Sequence, residues 1–164
     1  MLHGFSDSDW EGSAQDQKST SGFCFSMGSA VVSWSSRKQG SVALSTIEAE
    51  YISASGASRE AIWLRKLLSD LFDSSLDPIV IHCDNQSCVK FSENPMFHDR
   101  SKHIEMRYHY VRDMVQWRVV SLRYIPTDDQ TADVSTKPLL KTKFEYFRDK
   151  LSLVENAPLA EREC

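Results

Sequence analysis

Residues 79–87 read IVIHCDNQS, and they decide what kind of sheet this chain builds. Ile79 to Cys83 is a continuous, largely apolar run after Pro78, the pattern of a strand buried on both faces. Such strands belong to parallel or mixed sheets covered by helices. Asp84 ends the run, and Asn85-Gln86-Ser87 opens a short helix expected over Asn85 to Ser92. An aspartate in that place is a natural N-cap and also a candidate ligand at a strand end; the stretch alone supports both.

Upstream of this strand, between Ser45 and about Phe72, the apolar positions Tyr51, Ala54, Ala57, Ala61, Leu64, Leu68 and Leu71 recur every three or four residues. That is the period of an amphipathic helix. Small residues from Ser53 to Ser58 let its first half lie close to a sheet. Before it, three strands are expected at Leu2 to Asp7, Ser19 to Met27 and Ala30 to Ser36, the last two joined by a tight turn at Gly28-Ser29. The polar segment Trp10 to Lys18 suits a loop beside a site. Downstream, a helix from about Ser101 to Trp117 carries an inward stripe of Ile104, Tyr108, Val111 and Val115, and Val119 to Ile125 is the last strand. Thr127 begins a final helical region interrupted by Pro138, and LLKTKFEYFRDKL forms a closing helix. The order is βββαβααβα, an α/β arrangement in which a five-stranded mixed sheet has helices on both faces.

Four acidic residues fall at junctions of these elements. Asp7 closes the apolar opening LHGFSD, Glu50 lies just inside the long helix in STIEAEY, Asp84 ends the buried strand, and Asp133 opens a late helix in DDQTAD. Gathering four carboxylates costs stability through repulsion, and folds tolerate it mainly where hard cations neutralise the cluster. A site for two magnesium ions follows, and two such ions can clamp the attacking and leaving oxygens of a phosphodiester. The plainer alternative is that a chain with 23 acidic residues has some at strand ends and helix starts for capping alone.

Capping physics separates some neighbours. Ser45-Thr46-Ile47-Glu48 fits a capping box, which occupies Glu48 and leaves Glu50 free, unless Thr46 is the cap. Asp7 and Asp9 are two apart on a strand and face the same side, so periodicity does not choose between them. Thr127 and Gln130 form another capping box, with Asp128 and Asp129 at the positive helix end and Asp133 one turn beyond Asp129.

With 164 residues the chain fits one domain, expected over 1–153 with a polar tail at 154–164, and large enough to bury about 70% of its unfolded surface. Cys24, Cys83, Cys88 and Cys164 follow no signal peptide, and no apolar run approaches about 18 residues. These features predict a soluble, intracellular, reduced protein without a membrane partner. The net charge of −4 predicts weak nucleic-acid binding by the domain alone.

The strings FSDSDWEGS, QKSTSGFCFSMGSAVVSWSSRKQGSVALSTIEAEY, EAIWLRKLL, IHCDNQSCVKFSENPMFHDRSKHIEMRYHYVRD and YIPTDDQTADVSTKPL resemble, in order, the ribonuclease H region of copia-type LTR retrotransposon Pol polyproteins, most like those of plant elements. The likeness runs from about Leu2 to Leu153, and the element order is that of the ribonuclease H-like fold. It implies a metal-dependent endonuclease cutting the RNA strand of RNA:DNA hybrids during reverse transcription, with Asp7, Glu50, Asp84 and Asp133 as catalytic metal ligands. Asp7 is then the bridge between two Mg2+ ions, with Mn2+ as a substitute. Glu50 and Asp84 hold the ion on the leaving-group side, Asp133 helps hold the one that activates water, and Asp9 stands behind Asp7. The resemblance further implies an upstream reverse transcriptase domain that supplies grip on the duplex, and a cytoplasmic setting within virus-like particles; lacking that domain, the chain reads as a fragment.

Two rival functions are weighed against this. A transposase or junction resolvase shares the acidic-cluster logic, but the KSTSG, EAEY and DNQS strings argue against it. A catalytically idle remnant, or a nucleic-acid-binding module on the same fold, would keep the strings without the activity. Cys83, Cys88, His98 and His103 have superficial zinc spacing, yet both cysteines fall where core residues are expected. Lys102, His103 and Arg107 lie in the most basic stretch, which is either a solvated helix face or a nucleic-acid contact. Many cellular ribonucleases H carry a histidine in the loop after the last strand; YIPTDDQ has none, and whether His103 replaces it stays open.

Overall fold

Both faces of a central strand are covered in this protein, and successive residues of that strand feed two different cores. The computed structural model describes residues 2–10, 12–13, 15–73, 77–93 and 102–153, with backbone alone at 102–106 and 108. Strand β1 (Leu2–Asp9) sends Leu2 into one apolar cluster and Phe5 into the other, and β2 (Thr20–Met27) does the same with Phe25 and Cys24. This is the period-two alternation of a sheet buried on two sides. With β3 (Ala30–Lys38), β4 (Ile79–Cys83) and β5 (Val120–Tyr124), the sheet order is β3-β2-β1-β4-β5.

The first three strands pair antiparallel, whereas β1–β4 and β4–β5 pair parallel. The reading of 79–83 as a strand inside a mixed sheet agrees with this. Gly28 turns the β2–β3 hairpin at φ +66, a conformation glycine takes without strain. Phe25 pairs with Ser33 and Ser26 with Val31, so Val32 is skipped and bulges. Helices α1 (Thr46–Phe72), α2 (Gln86–Glu93) and α3 (Lys102–Gln116) follow in the predicted order. Residues of all three join the larger cluster, while Ala132 and Leu151, the latter just past α4 (Lys141–Lys150), cover the opposite face.

Most of the predicted helix faces are seen, with exceptions. Tyr51, Ala54, Ala57, Ala61 and Leu64 are buried along α1, but Leu71 is 66% exposed because the helix outruns the sheet. On α3 Val111 is buried and Val115 packs beside it, joined by Met114; Ile104 and Tyr108 lie outside the described side chains. No helix among the described residues is long and apolar enough to cross a membrane.

The late helix expected from Thr127 is instead two short 3₁₀ segments, Thr127–Asp129 and Thr131–Ser135. Thr127 caps nothing. Gln130, fully buried, caps the second segment by accepting from Ala132 N, while its Nε2 donates to Ser6 O of β1 at 2.9 Å. That long-range bond pulls the chain onto the sheet and ends the helical register. Gly22, paired with Asp7 across β1–β2, makes the close approach possible: a Cβ there would stand 2.6 Å from Thr136 Cγ2 and 2.9 Å from Ser135 Cβ.

Gly22→Ala should therefore push the segment carrying Asp133 off the sheet. Overpacking of this kind costs about 1–3 kcal/mol, a fall in Tm of several degrees in a thermal melt. Gly40→Ala, where a Cβ meets nothing within 4 Å, should leave Tm unchanged; equal effects would refute the close-packing argument.

Candidate active site

The parallel register of β1 and β4 brings the first two carboxylates together. Phe5 pairs with His82 at the end of the ladder, so Asp7 and Asp84 both follow at the carboxyl ends of neighbouring parallel strands, and the Asp7 carboxyl is affected by Asp84. Ionised carboxylates held close together repel one another, and protons or cations offset that repulsion.

The other two acids come from opposite sides of the sheet. Glu50 lies in the first turns of α1, whose N-terminus is fixed by Ser45 accepting from Glu48 N at 3.2 Å. The Glu48 carboxylate reaches Leu44 N at 2.7 Å, one residue beyond the partner that a strict capping box requires, and so is occupied as expected. Glu50 points at β1 and is not free: its Oε1 accepts from both Ser8 N (3.1 Å) and Ser8 Oγ (3.0 Å). Asp133 comes from the second 3₁₀ segment and is fully buried; Asp7 and Glu50 are buried and Asp84 half-buried.

The rival role for Asp84 is filled by its neighbour. Asn85 Oδ1 accepts from Cys88 N at 3.0 Å and caps α2, which leaves the Asp84 carboxylate outside the helix start. Asp9 Oδ2 occupies the space beside Gly12. Asp129 is exposed and does not share a surface with Asp133.

Electrostatics link the acids in part: Asp7 is affected by Asp133 and Asp84, and Glu50 by Asp7 and Asp84. Burial, opposed by a hydrogen bond donated by Thr136 Oγ1 and by Lys137, and reinforced by Asp133 and Asp84, lifts the Asp7 carboxyl from 3.8 to about 7. Burial also pushes Glu50 well above the carboxylate range, helped by Cys83, Asp7 and Asp84. Lys137 Nζ lies 2.8 Å from Asp133 Oδ1 and 3.8 Å from Asp7 Oδ2. The 2.8 Å contact is an ion pair to a fully buried oxygen. Partial burial works against the Lys137 ammonium, yet Asp133, Asp7 and Asp84 together hold its pKa above the usual lysine value. Lys143 Nζ contacts Asp133 Oδ2 at 3.2 Å from α4.

The donor set fits a hard divalent cation. All four carboxylates offer oxygen, the ligand magnesium and manganese take. Glu50, Cys83 and Asp84 bring ligand atoms within 4.8 Å of one another, a group that includes neither Asp7 nor Asp133. Cys83 and Cys88, two of the residues at zinc spacing, are both fully buried in the core; His98 and the His103 side chain lie outside the described residues.

Among the expected nucleic-acid contacts, Arg107 is exposed on α3, while the Lys102 side chain lies outside the described residues. Sequence reasoning missed Thr136, Lys137, Lys143, Ser8 and Cys83 as neighbours of the acids. Only Lys137 left a signal, standing four residues after Asp133 as in a helical ion pair.

A mixed sheet in this order, with helices on both faces and acids at the carboxyl ends of its first and fourth strands, is the ribonuclease H fold. The crystal structure of LC11-RNase H1 in complex with RNA/DNA hybrid matches with a TM-score of 0.60 at 13% identity, over 83% of this chain and 94% of that one. The sequence itself is homologous to a segment of plant retrovirus-related Pol polyproteins. It is 41% identical over 157 residues to the Pol polyprotein from transposon RE1 of Arabidopsis thaliana, and 38% identical over 156 residues to that from transposon TNT 1-94 of Nicotiana tabacum. These alignments take in 96% and 95% of the chain but only 11% and 12% of the relatives, so it spans about a tenth of their length. No protein-family profile matches the chain.

The raised Asp7 carboxyl sets a pH signature. The folded, metal-free chain keeps a proton there that the unfolded chain has lost, so the stabilisation is full below 3.8 and disappears as pH rises through about 7. Relative to Asp7→Asn, the natural chain's metal-free Tm should fall between about pH 4 and about pH 7. Millimolar Mg2+ should restore it most at the upper end, because metal ligands bind deprotonated. A magnesium increment independent of pH would contradict this assignment.

Proposed function

We propose that this chain is a metal-dependent endonuclease that hydrolyses the RNA strand of RNA:DNA hybrids, acting as the ribonuclease H part of an LTR-retrotransposon Pol polyprotein. The observation that carries this is the gathering of Asp7, Glu50, Asp84 and Asp133 from four separate elements at the carboxyl ends of two parallel strands. Crevices at that end of a mixed sheet are where such folds bind ligands. The homology to Pol polyproteins, and the hybrid held by LC11-RNase H1, support the choice of substrate.

In this function Asp7, Glu50, Asp84 and Asp133 would hold two Mg2+ ions, or Mn2+ as a substitute, Asp7 contributing to both, Glu50 and Asp84 to the one on the leaving-group side and Asp133 to the one on the water side. Ions bound there would supply positive charge to the attacking and leaving oxygens and acidify a water molecule. The chain's own contribution is positioning. Ser8 fixes the Glu50 carboxylate through two hydrogen bonds, and Thr136 fixes Asp7 from the opposite face. Lys137 and Lys143 supply counter-charge to Asp133, which keeps the cluster folded before metal arrives. Strand choice rests on the 2′-hydroxyl and on duplex shape, since no base-reading element is needed. A second function, that of a folded but idle remnant, is favoured by the same two lysines if they hold Asp133 permanently.

Incubated with Mg2+ or Mn2+, the chain should degrade RNA in a hybrid and leave single-stranded RNA and duplex DNA intact. Asp7→Asn should abolish this. Glu50→Gln should cost about 10²-fold or more through lost geometry and charge, with little change in Tm, because glutamine can still accept from Ser8. Glu48→Gln should keep most activity, since it can still accept from Leu44 N. Equal cleavage of all three substrates would refute the strand selection, and a folded chain inert at saturating metal would establish the idle remnant.

A further inference from the structure

The second half of α1 carries an apolar stripe that no other described residue covers. Trp63, Leu67 and Leu71 follow one another at intervals of four, which stacks them along one side of the helix, and they are 57%, 39% and 66% exposed. The core-facing side is a different one. Ala57, Ala61 and Leu64 are buried and Leu68 packs beside them, so the stripe lies about a quarter-turn round from the sheet. A third side is taken by the connection between α3 and β5, where Arg65 Nη1 donates to Arg118 O and Val119 O at 3.2 Å each. Met27 adds an exposed apolar group at the same end of the sheet: it pairs with Leu2 at the start of β1 and lies two residues past buried Phe25, on the face that α1 covers. Single exposed apolar residues are ordinary, but three large ones in a continuous row mark an interaction surface.

The charges beside the stripe say what covers it. Lys66 and Asp70 flank it on the solvent side, both exposed and neither in an ion pair among the described residues. Placed antiparallel about a twofold axis at Leu67, two copies of α1 set Trp63 beside the partner's Leu71 and Leu67 beside the partner's Leu67. The same rotation brings Lys66 to the partner's Asp70 and Asp70 to the partner's Lys66. One flank is thus complementary to itself, which is what a twofold interface requires. Rows of residues four apart are also the ridges that most commonly interdigitate when two helices pack.

We infer that α1 is a dimerisation helix: a second copy of this chain binds along Trp63, Leu67 and Leu71, antiparallel, with Lys66 and Asp70 paired across the twofold in both directions. Trp63 is the anchor, since tryptophan is among the residues that carry most of the energy of an interface. Leu2 and Asp7 stand toward opposite ends of β1, and Leu2 shares its cluster with Leu64 of α1. The seam is therefore remote from the carboxylates, and pairing leaves the acidic cluster of each copy open. One helix face is a small interface beside the roughly 800 Å² that each partner gives to a standard one, so the pair dissociates on dilution. This pairing does not depend on the nuclease function proposed above.

The test is sedimentation equilibrium of the full chain under reducing conditions, so that no cysteine cross-link imitates an interface. The mean mass should rise from monomer toward dimer as concentration goes from about 1 μM to about 1 mM. Leu67→Glu, which sets like charges face to face on the axis, should leave a monomer. Lys66→Asp and Asp70→Lys change exposed positions and leave the fold intact; each should weaken dimerisation about tenfold, because it turns both cross-pairs into like charges. An equimolar mixture of these two variants should associate as the natural chain does, since opposite charges then face each other again in both pairs. A mass that stays monomeric up to about 1 mM, a dimer indifferent to Leu67→Glu, or a mixture that associates no better than either variant alone would each overturn the inference; the first would mark a different polypeptide as the occupant of the stripe.

Discussion

Repulsion among Asp7, Asp84, Glu50 and Asp133 is the constraint around which the rest of this structure is arranged. Parallel pairing of β1 with β4 carries Asp7 and Asp84 to the same end of the sheet, and burial raises the cost of ionising Asp7. The chain answers with three devices. Asp7 holds its proton to about pH 7, Lys137 wedges its ammonium against Asp133 and Asp7, and Lys143 takes the far oxygen of Asp133. Each is provisional in character: a proton and a lysine side chain can leave, whereas a core packed with apolar residues could not make room for a cation.

Packing serves the same end. Gly22 admits the 3₁₀ segment bearing Asp133 onto the sheet, Gln130 ties that segment to Ser6, and Ser53 ties α1 to the backbone of Asp7 and Gly22. The small residues in the first half of α1 therefore do more than lower its profile. They bring the helix close enough for Glu50 to reach Ser8 from above while Asp133 approaches from below.

Much of this was legible in the sequence because it rests on local periodicity. The apolar run at 79–83 gave a buried strand, the three-and-four spacing of Tyr51 to Leu64 gave α1, and Ser45 gave its cap. What failed depended on contacts distant in sequence. Gln130 reads as the end of a capping box until Ser6 claims its amide. Leu71 keeps helical phase but has no sheet beneath it. At the candidate site, the four acids stood out as strand and helix junctions, while Lys143, Thr136 and Cys83 gave no sign, since their approach to the acids is made by tertiary packing alone.

The central claim is that the four carboxylates together bind divalent cations, whose positive charge Lys137 replaces when metal is absent. Titration of Mn2+ into the chain at about pH 8, followed by loss of the free-ion electron paramagnetic resonance signal, measures this directly. Saturable binding is expected for the natural chain, lost in Asp7→Asn and tightened in Lys137→Met, where the competing ammonium is gone. Binding that survives Asp7→Asn, or that weakens in Lys137→Met, would contradict it.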